Sequence, residues 1–246
     1  MDRMLYVAMT GAKNTMLAQA INNNNLANIN TTGFRADLAS FQAMPVEGAG
    51  YHSRVNAVVT GTDVDMASGP LVNTGRELDV AVKGDGYIAI QAPDGSEAYT
   101  RAGDLKINSG GILVTGTGNP VLGNSGPIAI PPHEKLEIGS DGTISILPIG
   151  QAPSTLAIVD RIKLVKAPTE KMIKTDEGLL RPATQSPLAV DGSVTLQSGV
   201  IESSNVNGID ALANMIELSR HYEAQVKLLK VAEDNDAAST QLLRLS

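Results

Sequence analysis

The sequence predicts an α+β fold, with a central all-β domain between two long terminal helices. Three observations carry that reading. Apolar residues near the start recur every three or four positions, the period of one helix face. Short apolar runs then alternate with turn signals about every ten residues, as in all-β domains. The last stretch, roughly 35 residues, contains no proline and carries a second apolar stripe.

The first helix rests on Leu5, Ala8, Met9, Ala12, Met16 and Ala20. Gly11 weakens it by about 1 kcal/mol relative to alanine. Asn22 to Asn25 make a poor helix interior, so the helix either frays there or uses the asparagines for a packing role. Thr31-Thr32-Gly33 is a plausible stop, with Gly33 free to turn left-handed. Residues 1–35 therefore form one half of a terminal helical domain whose other half is 208–246.

Residues 36–75 are punctuated by Pro45, Gly48, Gly50, Gly61, Gly69-Pro70 and Gly75. They read as an extended connector with little core of its own, with Val55 to Thr60 as a candidate strand. Residues 76–207 read as the β domain. Its runs include Leu78 to Val82, Tyr87 to Ile90, Ile112 to Val114, Ile128 to Ile130, Leu136 to Ile138, Thr143 to Ile146 and Ile162 to Val165. Asp-Gly pairs at 85–86, 94–95, 141–142 and 191–192 suit tight turns, because both residues tolerate positive φ.

Asn207 is placed to cap the last helix. Leu212, Met215, Ile216, Tyr222, Val226 and Leu229 make its stripe, close to a heptad through Met215, Tyr222, Val226 and Leu229. Each terminal stripe must be buried against the other helix, the β domain or another copy.

Composition excludes several classes of function. With 246 residues the chain can bury a real core. A net charge of −7 without a basic block excludes nucleic acid as a partner, since phosphate binding needs clustered Lys and Arg. The absence of cysteine excludes disulfides, thiolate metal sites and a Cys nucleophile. The start lacks the basic region and apolar run of a secretory signal. Membrane insertion is not expected, because no apolar run approaches the ~20 residues of a spanning helix.

No catalytic, cofactor-binding or metal-binding residue is predicted. His52, His133 and His221 lack metal-ligand spacing, and Glu202 has no evident partner. Gly84-Asp85-Gly86-Tyr87-Ile88-Ala89 fits a G-x-G-x-x-A pattern. A dinucleotide site needs a helix next, and the residues that follow alternate like a strand.

Three segments resemble one family. Asn25-Leu26-Ala27-Asn28-Ile29-Asn30-Thr31-Thr32-Gly33-Phe34-Arg35 resembles the N-terminal signature of flagellar rod and hook proteins. Asp79 to Val82, Gly84 to Tyr87, Tyr99 to Gly103, Gly111 to Val114 and Pro120 to Gly123 resemble its β-domain signature. Gly199-Val200-Ile201-Glu202-Ser203-Ser204-Asn205-Val206-Asn207 resembles the motif that opens its C-terminal helix. Arg35 stands where Lys is usual, and Tyr87-Ile88 where two Phe are common. Within the family the likeness is greatest to the proximal-rod type.

The resemblance implies a structural subunit, without cofactor or catalysis, of the basal-body rod that crosses the periplasm. The terminal helices would pair and line the inner wall of a tube that transmits torque from motor to hook. The implied partners are proximal-rod neighbours, the distal rod protein and the flagellar type III export apparatus. On this reading Leu5, Met9, Ala12, Met16, Asn25, Leu26, Asn28, Phe34, Leu212, Met215, Ile216, Tyr222, Val226 and Leu229 form the assembly interface. The alternatives are a distal-rod or hook-family subunit, a periplasmic enzyme acting on glycan and an adhesin.

Overall fold

The structure, a computed structural model, describes residues 3–45, 55–150, 156–166, 172–175, 177–184 and 186–244. The chain divides into two compact units. One comprises Met1–Asn28, Ala36–Asp65 and Val206–Ser246, the other Ile29–Arg35 and Met66–Asn205.

The first unit holds helix α1 (Arg3–Ala27), strands β1 (Asp37–Pro45) and β2 (Val55–Val64), and helix α2 (Gly208–Arg244). Helix α1 runs through the asparagine tract and ends only beyond it. The intrinsic cost of those residues is offset by tertiary hydrogen bonds. Asn22 Nδ2 donates to the Ala211 carbonyl at 2.8 Å, at the start of α2. Nearer the other end of α1, Gly11 lies against the Gln225 side chain. The two helices are therefore antiparallel. Asn207 caps α2 as the sequence suggests, with Oδ1 accepting from Ile209 N at 3.0 Å.

From Ala211 to Ala232, the buried and half-buried positions of α2 are Ala211, Met215, Leu218, Tyr222, Gln225, Leu229 and Ala232. Their spacings of four and three are those of a coiled-coil seam. This corrects the expected stripe. Met215, Tyr222 and Leu229 lie in the seam, but the intervening place belongs to Gln225, and Val226 is 43 % exposed. The seam repeats every 3.5 residues and drifts back around a 3.6-residue helix, which leaves Val226 on its flank.

The span expected as a connector contains an antiparallel hairpin. Strand β1 pairs with β2 from Asp37↔Val64 to Pro45↔Val55, with an irregularity at Ser40/Phe41. Valines at 55, 58, 59 and 64 favour the extended state. The hairpin packs on α1, and Asn14 Nδ2 donates to the Ala57 carbonyl. His52 lies outside the described residues.

The second unit is the β domain. Its largest sheet has five antiparallel strands in the order Leu164–Lys166, Gly86–Gln91, Glu97–Thr100, Leu180–Pro182 and Met172–Lys174. A three-stranded sheet orders Ala157–Arg161, Thr143–Pro148 and His133–Ile138. Ile88, Ile90, Leu113, Val121, Ile144 and Leu164 are among the fully buried core residues of the β unit. Most predicted apolar runs became strands, whereas Ile128 to Ile130 makes a bridge through Ala129 and no strand. The short strands Glu97–Thr100, Met172–Lys174 and Thr195–Ser198 had no predicted counterpart.

The turn before Tyr87 is made by Gly84, at φ 75°, and Gly86 already belongs to the strand. Gly86 is needed for another reason: a side chain there would run into Val194. A strand, and no helix, follows the G-x-G-x-x-A segment.

Candidate assembly surface and a buried charge clasp

The most buried charges in the β unit come from three distant parts of the sequence. Glu202, Arg35 and Arg101 are 1 %, 2 % and 3 % exposed. Arg35 Nη2 sits 2.7 Å from Glu202 Oε1, and Arg101 Nη1 donates to Glu202 Oε2 at 3.1 Å. The carboxylate also accepts from the backbone N–H of Gly69 at 2.9 Å. Each guanidinium has a second outlet. Arg35 Nη1 donates to the Ala67 carbonyl at 2.7 Å, and Arg101 Nη2 to the Gly84 carbonyl at 2.6 Å. The Arg101 guanidinium lies 5.0 Å from the centre of the Tyr87 ring. Two cations on one anion leave a net positive charge in a dry place. The carbonyl dipoles and the ring face offset part of the excess, while Arg35 Nε, Arg35 Nη2 and Arg101 Nε are buried without a hydrogen bond.

The backbone around the clasp is shaped to admit it. Gly33 has φ 66° and donates its N–H to the Glu202 carbonyl at 2.8 Å. A Cβ at Gly33 would enter the backbone of Arg101 and Ala102. Gly33 is thus more than a helix stop, since its hydrogen lets two motifs touch. Phe34 is buried beside it, with the Lys174 ammonium 3.8 Å above its ring. Lys174 Nζ also donates to the Arg35 carbonyl at 2.8 Å. Glu202, which has no evident partner in the sequence, has two ionic partners in the structure.

The predicted interface residues separate into two groups. Ala12 is buried, and Leu5, Leu26, Met215, Tyr222 and Leu229 are half-buried within the helical unit. Asn25 is committed to the chain itself: its Nδ2 donates to the Asp37 carbonyl at 2.9 Å and its Oδ1 accepts from Asp37 N at 2.8 Å. Asn28 Nδ2 donates to the Asn24 carbonyl at 2.9 Å, at the end of α1. Phe34 is buried within the β unit, beside Lys174. Met9, Met16, Leu212, Ile216 and Val226 remain exposed, at 51, 57, 51, 59 and 43 %. Sequence reasoning missed Ile209, which is 79 % exposed and follows the cap of α2. Its i, i+3 spacing to Leu212 was the available signal.

Among the described residues no group of three His, Asp or Glu could hold a metal ion. His133 Nδ1 is 2.9 Å from the Pro131 carbonyl, and His221 Nε2 is 3.6 Å from Glu217 Oε1 on an exposed helix face. An open groove of about 370 Å³ in the helical unit is lined by Asn22, Asn25, Asp37, Asn214, Glu217 and His221, among others. No described helix is long and apolar enough to cross a membrane.

Comparison with known proteins gives matches along the chain. Residues 5–35 match a family model described as flagella basal body rod protein. Residues 81–146 match the flagellar hook protein FlgE/F/G D1 domain, and 197–242 the C-terminal part of the flagellar basal body rod FlgEFG proteins. The chain is 40 % identical to the flagellar basal-body rod protein FlgF of Salmonella typhimurium, over the full length of both. It is 41 % identical to FlgF of Escherichia coli, again over both whole chains. Identity to FlgG of Bacillus subtilis is 33 %, covering 95 % of this chain and 96 % of the relative. Arg35, Arg101 and Glu202 thus lie in or beside the three segments that resemble the family, and the chain belongs to the flagellar basal-body rod proteins as a FlgF-like structural subunit of the basal body.

Proposed function

We propose that this subunit polymerises, through the exposed apolar face of its helical unit, into the proximal part of the rod that carries torque from motor to hook. The observation that supports this is the division of α2. Its seam residues are covered within the chain, while Ile209, Leu212 and Ile216 stay open to water in its first turns. Exposed Leu and Ile side chains contribute roughly 1.5–3 kcal/mol each when buried. Repeated heterologous contacts that do not close produce a helical filament. The proximal position is supported by the likeness to FlgF of Salmonella typhimurium and Escherichia coli, at 40 and 41 % over the full length of both chains.

On this reading the partners are neighbouring proximal-rod proteins and the distal rod protein, and the rod crosses the periplasm. The flagellar type III apparatus exports the chain without a cleaved signal. The work is mechanical, and no histidine or carboxylate acts as a catalyst.

The test is Leu212→Asp with Ile216→Asp. Both side chains are exposed in the monomer, so the fold should survive with normal circular dichroism. Cells should export the protein yet lack completed hooks in electron micrographs. Normal swimming by the double variant would remove α2 from the assembly surface.

A further inference from the structure

We propose that the Arg35–Glu202–Arg101 clasp is a mechanical joint, which gathers at one point of the β unit the chain segments that link it covalently to the helical unit. The chain passes between the units after Asn28, Arg35, Asp65 and Asn205. Three segments of the β unit carry those passages, and the clasp bonds all of them. The segment ending at Arg35 is held by the Arg35–Glu202 pair at 2.7 Å and by Gly33 N on the Glu202 carbonyl. The segment starting at Met66 is held through the Ala67 carbonyl, which accepts from Arg35 Nη1 and from Asn205 Nδ2 at 3.0 Å, and through Gly69 N on Glu202 Oε1. The segment ending at Asn205 carries Glu202 itself, and Asn205 N donates to the Phe34 carbonyl at 3.3 Å.

Stability alone is a poor reason for this arrangement. A buried Arg–Glu–Arg group is commonly no better than apolar residues of the same volume. It differs from them in direction. Apolar contacts are non-directional and permit sliding, whereas charge-assisted hydrogen bonds, here those of Arg101 Nη1 and Gly69 N to the Glu202 carboxylate and of Arg35 Nη1 to the Ala67 carbonyl, fix the register of the groups they join. A subunit that transmits force between its two units needs register at the crossings more than it needs depth of burial. The inference rests on the rod reading for its purpose, though not for its geometry.

Glu202→Gln keeps the shape and removes the charge. In the purified variant, hydrogen exchange should speed about tenfold at the amides of Gly33, Gly69 and Asn205, with Leu113 and Val121 in the β core unchanged. Cells carrying it should build hooks in wild-type numbers and swim in dilute medium. They should stall in a viscous polymer solution that the wild type still crosses. Equal acceleration in the core would make the clasp a general stabiliser and overturn the proposal, as would unchanged exchange at the three crossing amides. Accelerated crossing amides with load-independent swimming would sink the mechanical role while leaving the rod reading intact. A deletion strain that still builds hooks would sink the rod reading instead. If Glu202→Gln loses the β circular-dichroism signal, Arg35→Lys takes its place, because it keeps the charge and loses the second donor. Failure of that mild variant to fold would make the clasp a folding determinant and end the proposal.

Discussion

The side-chain amide of Asn25 closes both hydrogen bonds on the main chain of Asp37, at 2.8 and 2.9 Å. It therefore imitates a neighbouring peptide and ties the end of α1 to the first residue of β1. Asn25→Ala removes both bonds and should cost the helical unit about 1–3 kcal/mol, read from urea unfolding by far-ultraviolet circular dichroism. Asn25→Asp should be worse near neutral pH, since a carboxylate faces the Asp37 carbonyl with no proton to donate. Asn22→Ala, which loses one bond to Ala211, should be milder than either.

Gly33→Ala should damage the β unit far more than a methyl group ordinarily would. The positive φ costs a non-glycine residue roughly 1–2 kcal/mol, and the new Cβ meets the backbone of Arg101 and Ala102. The backbone at Arg101 must then move, taking its side chain's bond to Glu202 with it. The melting temperature should fall by several degrees at least, and scanning calorimetry checks it.

Seam and surface substitutions on α2 should separate cleanly. Met215→Asp puts a carboxylate between the paired helices and should lower helical content in the monomer by disrupting the pairing with α1. Ile216→Asp, one residue on, projects about 100° away around the helix and should leave the monomer spectrum unchanged. Equal spectra for the two variants would show that the seam is not formed in solution.

Alkaline pH should weaken the β unit through Tyr99. The side chain is fully buried, its hydroxyl donates to Glu97 Oε1 at 2.8 Å, and it accepts from Leu188 N at 2.6 Å. Burial, reinforced by the Glu97 carboxylate, pushes its pKa well above the ordinary 10.0. The folded state therefore favours the neutral phenol. Its contribution is complete below pH 10 and is lost as pH rises through the raised value. Urea midpoints should decline above pH 10 in the wild type, and Tyr99→Phe should flatten that decline while lowering stability at every pH.

What the sequence determined by itself is the order of the parts. Helix, β domain and helix were legible because each has a short repeat, 3.6 residues in α1 and α2 and two in strands such as Thr143–Pro148. The cap at Asn207 was legible too, since a cap and its helix are adjacent in the chain. Other features depended on which distant residues meet. Glu202 pairs with Arg35 and Arg101, Asn25 with Asp37, and Gln225, not Val226, lies against Gly11 in the seam. The hairpin of β1 and β2 read as a connector because its strands expose Leu38, Phe41, Met44 and Val55 and show no clean alternation. Periodicity records how one element faces its surroundings, and so it leaves a local trace. A buried ion pair or a side-chain amide bridge joins residues on different elements, twelve positions apart for Asn25 and Asp37 and far more for Arg35 and Glu202, and only the folded chain brings them together.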